Sequence, residues 1–193
     1  MAHAAELRAR NADFWDRAAP GWIRHADRQD ELGRPLGAAA LDELHAGPGE
    51  RVLDVGCGCG GTTAELAAAV GPTGVAVGVD LSEAMVARAR ERFAGPPAPG
   101  PRFLAGDIET MGVVPGAPFD AVYSRMTLML LPPLHSSLFR WCAQVSGGAS
   151  RPQPHCNRAA YERQRLFARL HTSLLPGGAA NRVAMGRGEA LRG

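Results

Sequence analysis

An α/β fold, with a mainly parallel sheet between helical layers, is the class that this 193-residue sequence predicts. Three observations carry the prediction. Short apolar runs alternate with segments of helical periodicity between residues 51 and about 145, the pattern of βαβ units. The first run, Arg51–Val55, passes straight into glycines at 56, 58, 60 and 61, the kind of turn by which a strand enters a helix. Asp54, Asp80 and Asp107 each stand at or near the carboxyl end of such a run, where open parallel sheets gather their ligands.

The elements follow in order. Residues 1–46 read as a helical cap: Phe14, Trp15, Ala18, Trp22 and Ile23 fall near a 3.6-residue period, Pro20-Gly21 interrupts it, and a second helix from Leu36 to Leu44 stops at Gly47-Pro48-Gly49. Residues 47–145 read as the αβ core. Its first strand is Arg51–Val55. A helix opens at Thr62, where Thr62-Thr63-Ala64-Glu65 has the spacing of a capping box, and ends at Gly71-Pro72. Val75–Val79 is the second strand, closed by Asp80. Ser82 caps the next helix, with Glu83 in its first turn and Met85, Val86, Ala89 and Phe93 as its apolar face. The Gly/Pro run 95–101 is loop, Arg102–Ala105 a third strand, Phe119–Tyr123 a fourth, and Leu134–Val145 a helix.

Bulk properties narrow the field. The length suits one sizeable core. A formal charge of +2 gives no reason to expect nucleic acid as a partner. The sequence has no apolar run long enough for a membrane span and no signal-peptide core at its start, so a cytoplasmic location is the expectation. Every basic residue is Arg. Cys57 and Cys59 are too close together for a zinc knuckle, and Cys142, His155 and Cys156 lack a second paired motif, so no metal is expected.

The glycine loop alone also fits the G-x-G-x-x-G spacing of a dinucleotide site, with Asp80 in place for a ribose. The carboxylate of Asp54, two residues ahead of the first glycine, favours a cationic ligand over a pyrophosphate. S-adenosyl-L-methionine is the common nucleoside with such an end.

These residues carry a family pattern. Arg51-Val-Leu-Asp-Val-Gly-Cys-Gly-Cys-Gly60 resembles the first motif of class I S-adenosylmethionine-dependent methyltransferases, and Gly78-Val-Asp80-Leu-Ser-Glu-Ala-Met85 their second. Gly106-Asp107-Ile108 resembles the adenine-contacting segment, Phe119–Arg125 the fourth strand, and Phe14–Trp22 the opening of the ubiquinone/menaquinone-biosynthesis type. The resemblance covers roughly residues 12–140 and implies a Rossmann-like three-layer αβα methyltransferase fold. It implies that Asp54 and the loop Gly56, Cys57, Gly58 and Gly60 hold the methionine end and that Asp80 takes the ribose hydroxyls. Leu81 and Met85 would pack on adenine, Asp107 would accept its amine, Ile108 would cover the ring, Ser124 would line the pocket, and Trp22 would close over the amino-acid end. The implied reaction is methyl transfer to a small-molecule acceptor. His135, beyond Pro132-Pro133, is the candidate base, set against the commoner reading of a half-exposed histidine at a helix start. Arg125 is read as facing either an anionic substrate group or Asp120 or a helix end.

The tail departs from that pattern. Residues 1–141 hold 13 Arg against 17 acids, whereas residues 142–193 hold 8 Arg against 2. Leu175-Pro-Gly-Gly178 matches the turn before a fifth strand, but some 30 residues late, which places that strand near 179–185 and leaves the C-terminal strands incomplete. An insertion at 146–158 with early termination and a shifted reading frame after about residue 141 both account for this. Either leaves an incompletely covered sheet edge, from which the expectation is a chain less stable than a full domain of this family or a homodimer formed through that edge. Two alternatives stand beside methyl transfer: a truncated or decayed relative that binds cofactor or a partner without turnover, and an NAD-dependent oxidoreductase.

Overall fold

The structure, a computed structural model, describes residues 2–95 and 100–127. The expectations for His135, Cys142, His155, Cys156, the helix at 134–145, the tail 146–193 and its strand near 179–185 lie outside those residues.

Four parallel strands form one sheet: β1 (Arg51–Val55), β2 (Val75–Asp80), β3 (Arg102–Ala105) and β4 (Ala121–Ser124), in the order β3-β2-β1-β4. Helices α3 (Gly61–Val70) and α4 (Glu83–Arg92) make the crossovers β1 to β2 and β2 to β3. The next connection reverses direction and places β4 on the other side of β1. The point of reversal, between the carboxyl ends of β1 and β4, is where such sheets open a crevice. The fold is the Rossmann-like αβ arrangement that the sequence predicts.

Register assigns the faces. Asp54 pairs with Gly78 and with Tyr123, so these three share a face with Val52. That face packs Val52, Ala76 and Tyr123 against Leu66 and Val70 of α3, with Leu41 and Leu44 of α2 (Ala26–Leu44) alongside. The opposite face packs Leu53, Val55, Val77 and Val79 against Ile108, Val114 and Phe119 of the segment between β3 and β4. Phe119 is fully buried there and lies outside β4, which begins two residues later than its apolar run suggests. Backbone bonds explain the shift: Asp120 N–H donates to the Arg51 carbonyl at 2.7 Å and Arg51 N–H donates to Asp120 Oδ2 at 2.8 Å, bracketing the strand entry.

The cap differs from expectation at two places. Helix α1 runs unbroken over Ala2–Arg24 through Pro20, and the break falls at His25. Burial of Ala19 and Ala26 on either side of the Pro20-Gly21 pair holds the helical path that local propensity argues against. Helix α2 begins ten residues earlier than Leu36, because its polar first half is anchored by charge rather than by an apolar stripe. The capping box at Thr62 does not form. Gly60, at φ +87°, is the N-cap of α3 without a side-chain bond, and the Thr63 hydroxyl is engaged elsewhere. Ser82 does cap α4, its hydroxyl accepting from Met85 N–H at 3.4 Å.

Phe119→Ala is expected to lower unfolding free energy by about 3–5 kcal/mol in urea titration, since it empties the centre of one core layer. A loss below about 1 kcal/mol would contradict that placement.

Candidate functional site

The tips of β1, β2 and β3 are laced together by main-chain bonds. Gly56 N–H and Cys57 N–H both donate to the Val79 carbonyl, at 2.8 and 3.1 Å, and Gly106 N–H donates to the Asp80 carbonyl at 2.8 Å. The glycine loop therefore lies across the end of β2, and Asp107 follows directly on the tie to Asp80. Gly56 takes φ +79°, and Thr127 occupies the space a side chain at that position would need. Among the described residues, no atom beyond the chain neighbours of Gly58 lies within 4 Å of where a Cβ would stand, so the loop is open to them there.

Asp80 holds the arrangement from the side. Its Oδ2 accepts from Gly58 N–H at 2.8 Å and its Oδ1 from Ser82 N–H at 2.9 Å. One carboxylate thus fixes both the loop and the start of α4. Burial raises its pKa, and the bonds from Ser82, Gly58 and Leu81 oppose the rise. An ionised carboxylate offers about four acceptor positions, so with three donors in place about one remains for a ligand hydroxyl.

Asp54 sits beneath the loop, 2% exposed, and accepts a 2.6 Å bond from the Thr63 hydroxyl. Desolvation raises its pKa to about 6; the Thr63 bond and the charge of Arg125 oppose the shift, and the charge of Asp80 adds to it. Asp54 and Asp80 are thus electrostatic neighbours, with Asp54 directed into the protein. A ligand in the crevice meets its field rather than its oxygens. Asp107 sits over a tight turn: its Oδ1 accepts from Glu109 N–H at 2.9 Å and its carbonyl from Met111 N–H at 2.9 Å. Its Oδ2 lies 3.7 Å from Arg8 Nε of α1.

The other predicted site residues divide. Leu81 stands 36% exposed beside Asp80, whereas Met85 is buried in α4 and Ile108 is packed into the core with Leu53 and Val55. The Ser124 hydroxyl donates to the Val55 carbonyl at 2.9 Å, tying β4 to β1 beside the crevice. Trp22 meets Trp15 at an interplanar angle of 60°, with ring centroids 5.9 Å apart. Cys57 is buried against Val86 and Phe103, and burial pushes both its thiol and that of Cys59 upward in pKa, away from thiolate chemistry. Arg125 meets a helix rather than Asp120: its Nη1 donates to the Gly33 carbonyl at 3.1 Å, in a notch left by Gly33 and Gly37 of α2.

Several residues at the site escaped the sequence reading. Thr63 is absorbed there into a cap. Arg92 is not singled out there, yet its Nη1 donates to the Cys59 carbonyl at 2.7 Å and its Nη2 to Asp30 Oδ2 at 2.7 Å and Asp27 Oδ1 at 2.8 Å. Burial works against its charge, and the bonds to Asp30 and Asp27 outweigh burial and raise its pKa. No motif spacing links residues 27, 30, 59 and 92.

Residues 52–146 match the model of a family described as a methyltransferase domain. The trans-aconitate 2-methyltransferase of Streptomyces avermitilis is 35% identical over 142 residues, 69% of this chain and 50% of that protein. The nocamycin O-methyltransferase of Saccharothrix syringae is 36% identical over 118 residues, 58% of this chain and 39% of that protein. The chain therefore spans half or less of the length of these relatives. Among solved structures, phosphoethanolamine N-methyltransferase 1 of Haemonchus contortus shares the fold at 21% identity and TM-score 0.55, over 72% of this chain and 30% of that one. A SAM-dependent methyltransferase from Aquifex aeolicus shares it at 22% and 0.52, over 64% and 66%.

Two outcomes are expected from the buried acid. Because Asp54 titrates near 6 in the folded chain against an ordinary 3.8, the folded state binds the extra proton between those values. Its stabilising effect is complete below about pH 4 and lost as pH rises through 6, a fall on the order of 3 kcal/mol that Asp54→Asn should reduce. Urea midpoints measured from pH 4 to 7 read this directly. Thr63→Val, which strips Asp54 of its hydroxyl partner, should destabilise by about 1–3 kcal/mol at neutral pH.

Proposed function

We propose that this chain binds S-adenosyl-L-methionine across the tips of β1, β2 and β3 and transfers its methyl group to a small-molecule acceptor. The observation that carries the proposal is the Asp80 carboxylate, fixed by Gly58 and Ser82 with acceptor capacity to spare, beside the open glycine loop and above the buried anion of Asp54. The residues fit the cofactor. Asp80 takes a ribose hydroxyl, the loop Gly56–Gly60 receives the methionine end, Leu81 lies against adenine and Asp107 accepts its amine. Asp54 contributes negative potential without contact. The methyltransferase-domain match over residues 52–146 and the methyltransferase relatives support the same reading.

The geometry weighs against a dinucleotide. In dinucleotide sites the pyrophosphate rests on the amino end of the helix that follows the glycine loop. Here the Asp30 carboxyl stands where a Cβ of Gly61 would be, at the first residue of α3, held there by Arg92. A pyrophosphate at that spot would have to displace a carboxyl group that already occupies it.

The cofactor supplies an already activated methyl group. The chain's own part is to orient two reactants and exclude water, effects worth about 7–11 kcal/mol when alignment is good. The negative potential of Asp54 and Asp80 favours a sulfonium over the neutral thioether left after transfer, which aids product release. For the acceptor, the relatives' names point to molecules such as trans-aconitate and nocamycin, and the opening motif Phe14–Trp22 points to a quinone. A panel holding both kinds, assayed with radiolabelled cofactor, separates them.

Calorimetry tests the cofactor first. Binding of S-adenosylmethionine and S-adenosylhomocysteine is expected, with Asp80→Asn weakening it by about 1–3 kcal/mol. NADH is expected not to compete. Absence of binding of either sulfur nucleoside at millimolar concentration would refute the proposal. A cation in the crevice also favours ionised Asp54, so preference for the sulfonium over the thioether should rise as pH passes through about 6.

A further inference from the structure

Three elements meet at one guanidinium. Arg92, on the last turn of α4, is 11% exposed and reaches the glycine loop through the Cys59 carbonyl and the first turns of α2 through Asp27 and Asp30. Cys59 lies between Gly58 and Gly60, so the orientation of its carbonyl sets how the neighbouring loop amides are presented. Asp30, on the opposite side of the same guanidinium, presses on Gly61, the residue that begins α3. A change in the seating of α2 therefore reaches the loop through a single charged group, from the carboxylate through Nη2 and Nη1 to the carbonyl. A planar guanidinium makes such a multiply bonded bridge in a way an ammonium does not.

We propose that Arg92 is a positioning residue for the cofactor loop, and that through Asp30 it makes the loop's binding shape depend on the docking of helices α1 and α2. The inference rests on the cofactor reading above, and it adds a coupling that neither the glycine motif nor the methyltransferase resemblance contains. Asp27 shares the guanidinium but is 89% exposed, so its contribution is screened by water. The hinge lies at the α1–α2 junction, where His25 N–H is shared between the Gly21 and Trp22 carbonyls at 3.2 and 3.3 Å.

The test uses the full chain with the variants Arg92→Met, Arg92→Lys, Asp30→Asn and Asp27→Asn, each verified as folded by circular dichroism. Affinity for S-adenosylhomocysteine by calorimetry should fall about tenfold in Arg92→Met and in Asp30→Asn, with the double variant no worse than the weaker single one. Arg92→Lys should recover part of the loss, and Asp27→Asn should stay within about twofold of the parent. Trypsin cleavage after Arg24 and Arg28, on either side of the hinge, should accelerate in ligand-free Arg92→Met and Asp30→Asn, and the ligand should slow it in the parent. A merely structural Arg92 would lower thermal stability and leave affinity within about twofold, which overturns the proposal. If Arg92→Met does not fold, Asp30→Asn carries both readouts. If the parent binds no sulfur nucleoside, the cofactor reading fails and the coupling falls with it; if the parent binds and the variants keep its affinity, the cofactor reading stands and the coupling alone is overturned.

Discussion

Most of this structure depends on where one carboxylate sends its two oxygens. Asp80 leaves the tip of β2 and accepts from Gly58 on one side and Ser82 on the other. The first bond fixes the loop that ends β1; the second fixes the entry to α4. Because each comes from a main-chain N–H, they set backbone position rather than side-chain rotamer, and they join the ties from Val79 and Arg92 in defining the glycine loop. Burial makes the bonds strong, and it also raises the cost of ionising the acid that accepts them.

The second acid, Asp54, tells a related story on the buried face. A carboxylate 2% exposed in a sheet interior is expensive unless it is paired or hydrogen-bonded. Among the described residues it has one neutral donor, Thr63, and the more distant charge of Arg125, and its pKa near 6 records that compensation is incomplete. The residual charge is held close beneath a loop that is open at Gly58. Function and stability pull in opposite directions at this residue, since the ionised form that would attract a sulfonium is the form the fold tolerates least.

The helical cap is bound to the core in a different manner from the core's own layers. Apolar packing joins α2 to α3 near Leu41 and Leu44, but the first half of α2 is held by Arg92 on its acids and Arg125 on its Gly33 carbonyl. Charged and hydrogen-bonded attachments of that kind are more easily exchanged than buried area.

What the sequence alone determined follows from short-range rules. Alternating apolar runs and helical segments specified four parallel strands, and the bounds of β1 and β3 agree with the runs that announced them. The Ser82 cap was equally legible, as were the glycine loop and the acids at strand ends, because each lies within a few residues of what it acts on. Tertiary structure decided the rest. Pro20 failed to break α1, because burial of Ala19 and Ala26 outweighed one lost backbone bond. The hydroxyl of Thr63 went to Asp54, nine residues back, instead of to a local cap. Met85 and Ile108 took buried places, Ile108 in the core beside Leu53 and Val55. Above all, the bridge from Asp27 and Asp30 through Arg92 to Cys59 joins residues up to 65 apart. No periodicity or spacing encodes such a pairing, since it exists only once the crossovers of the sheet have carried the end of α4 to the start of α2.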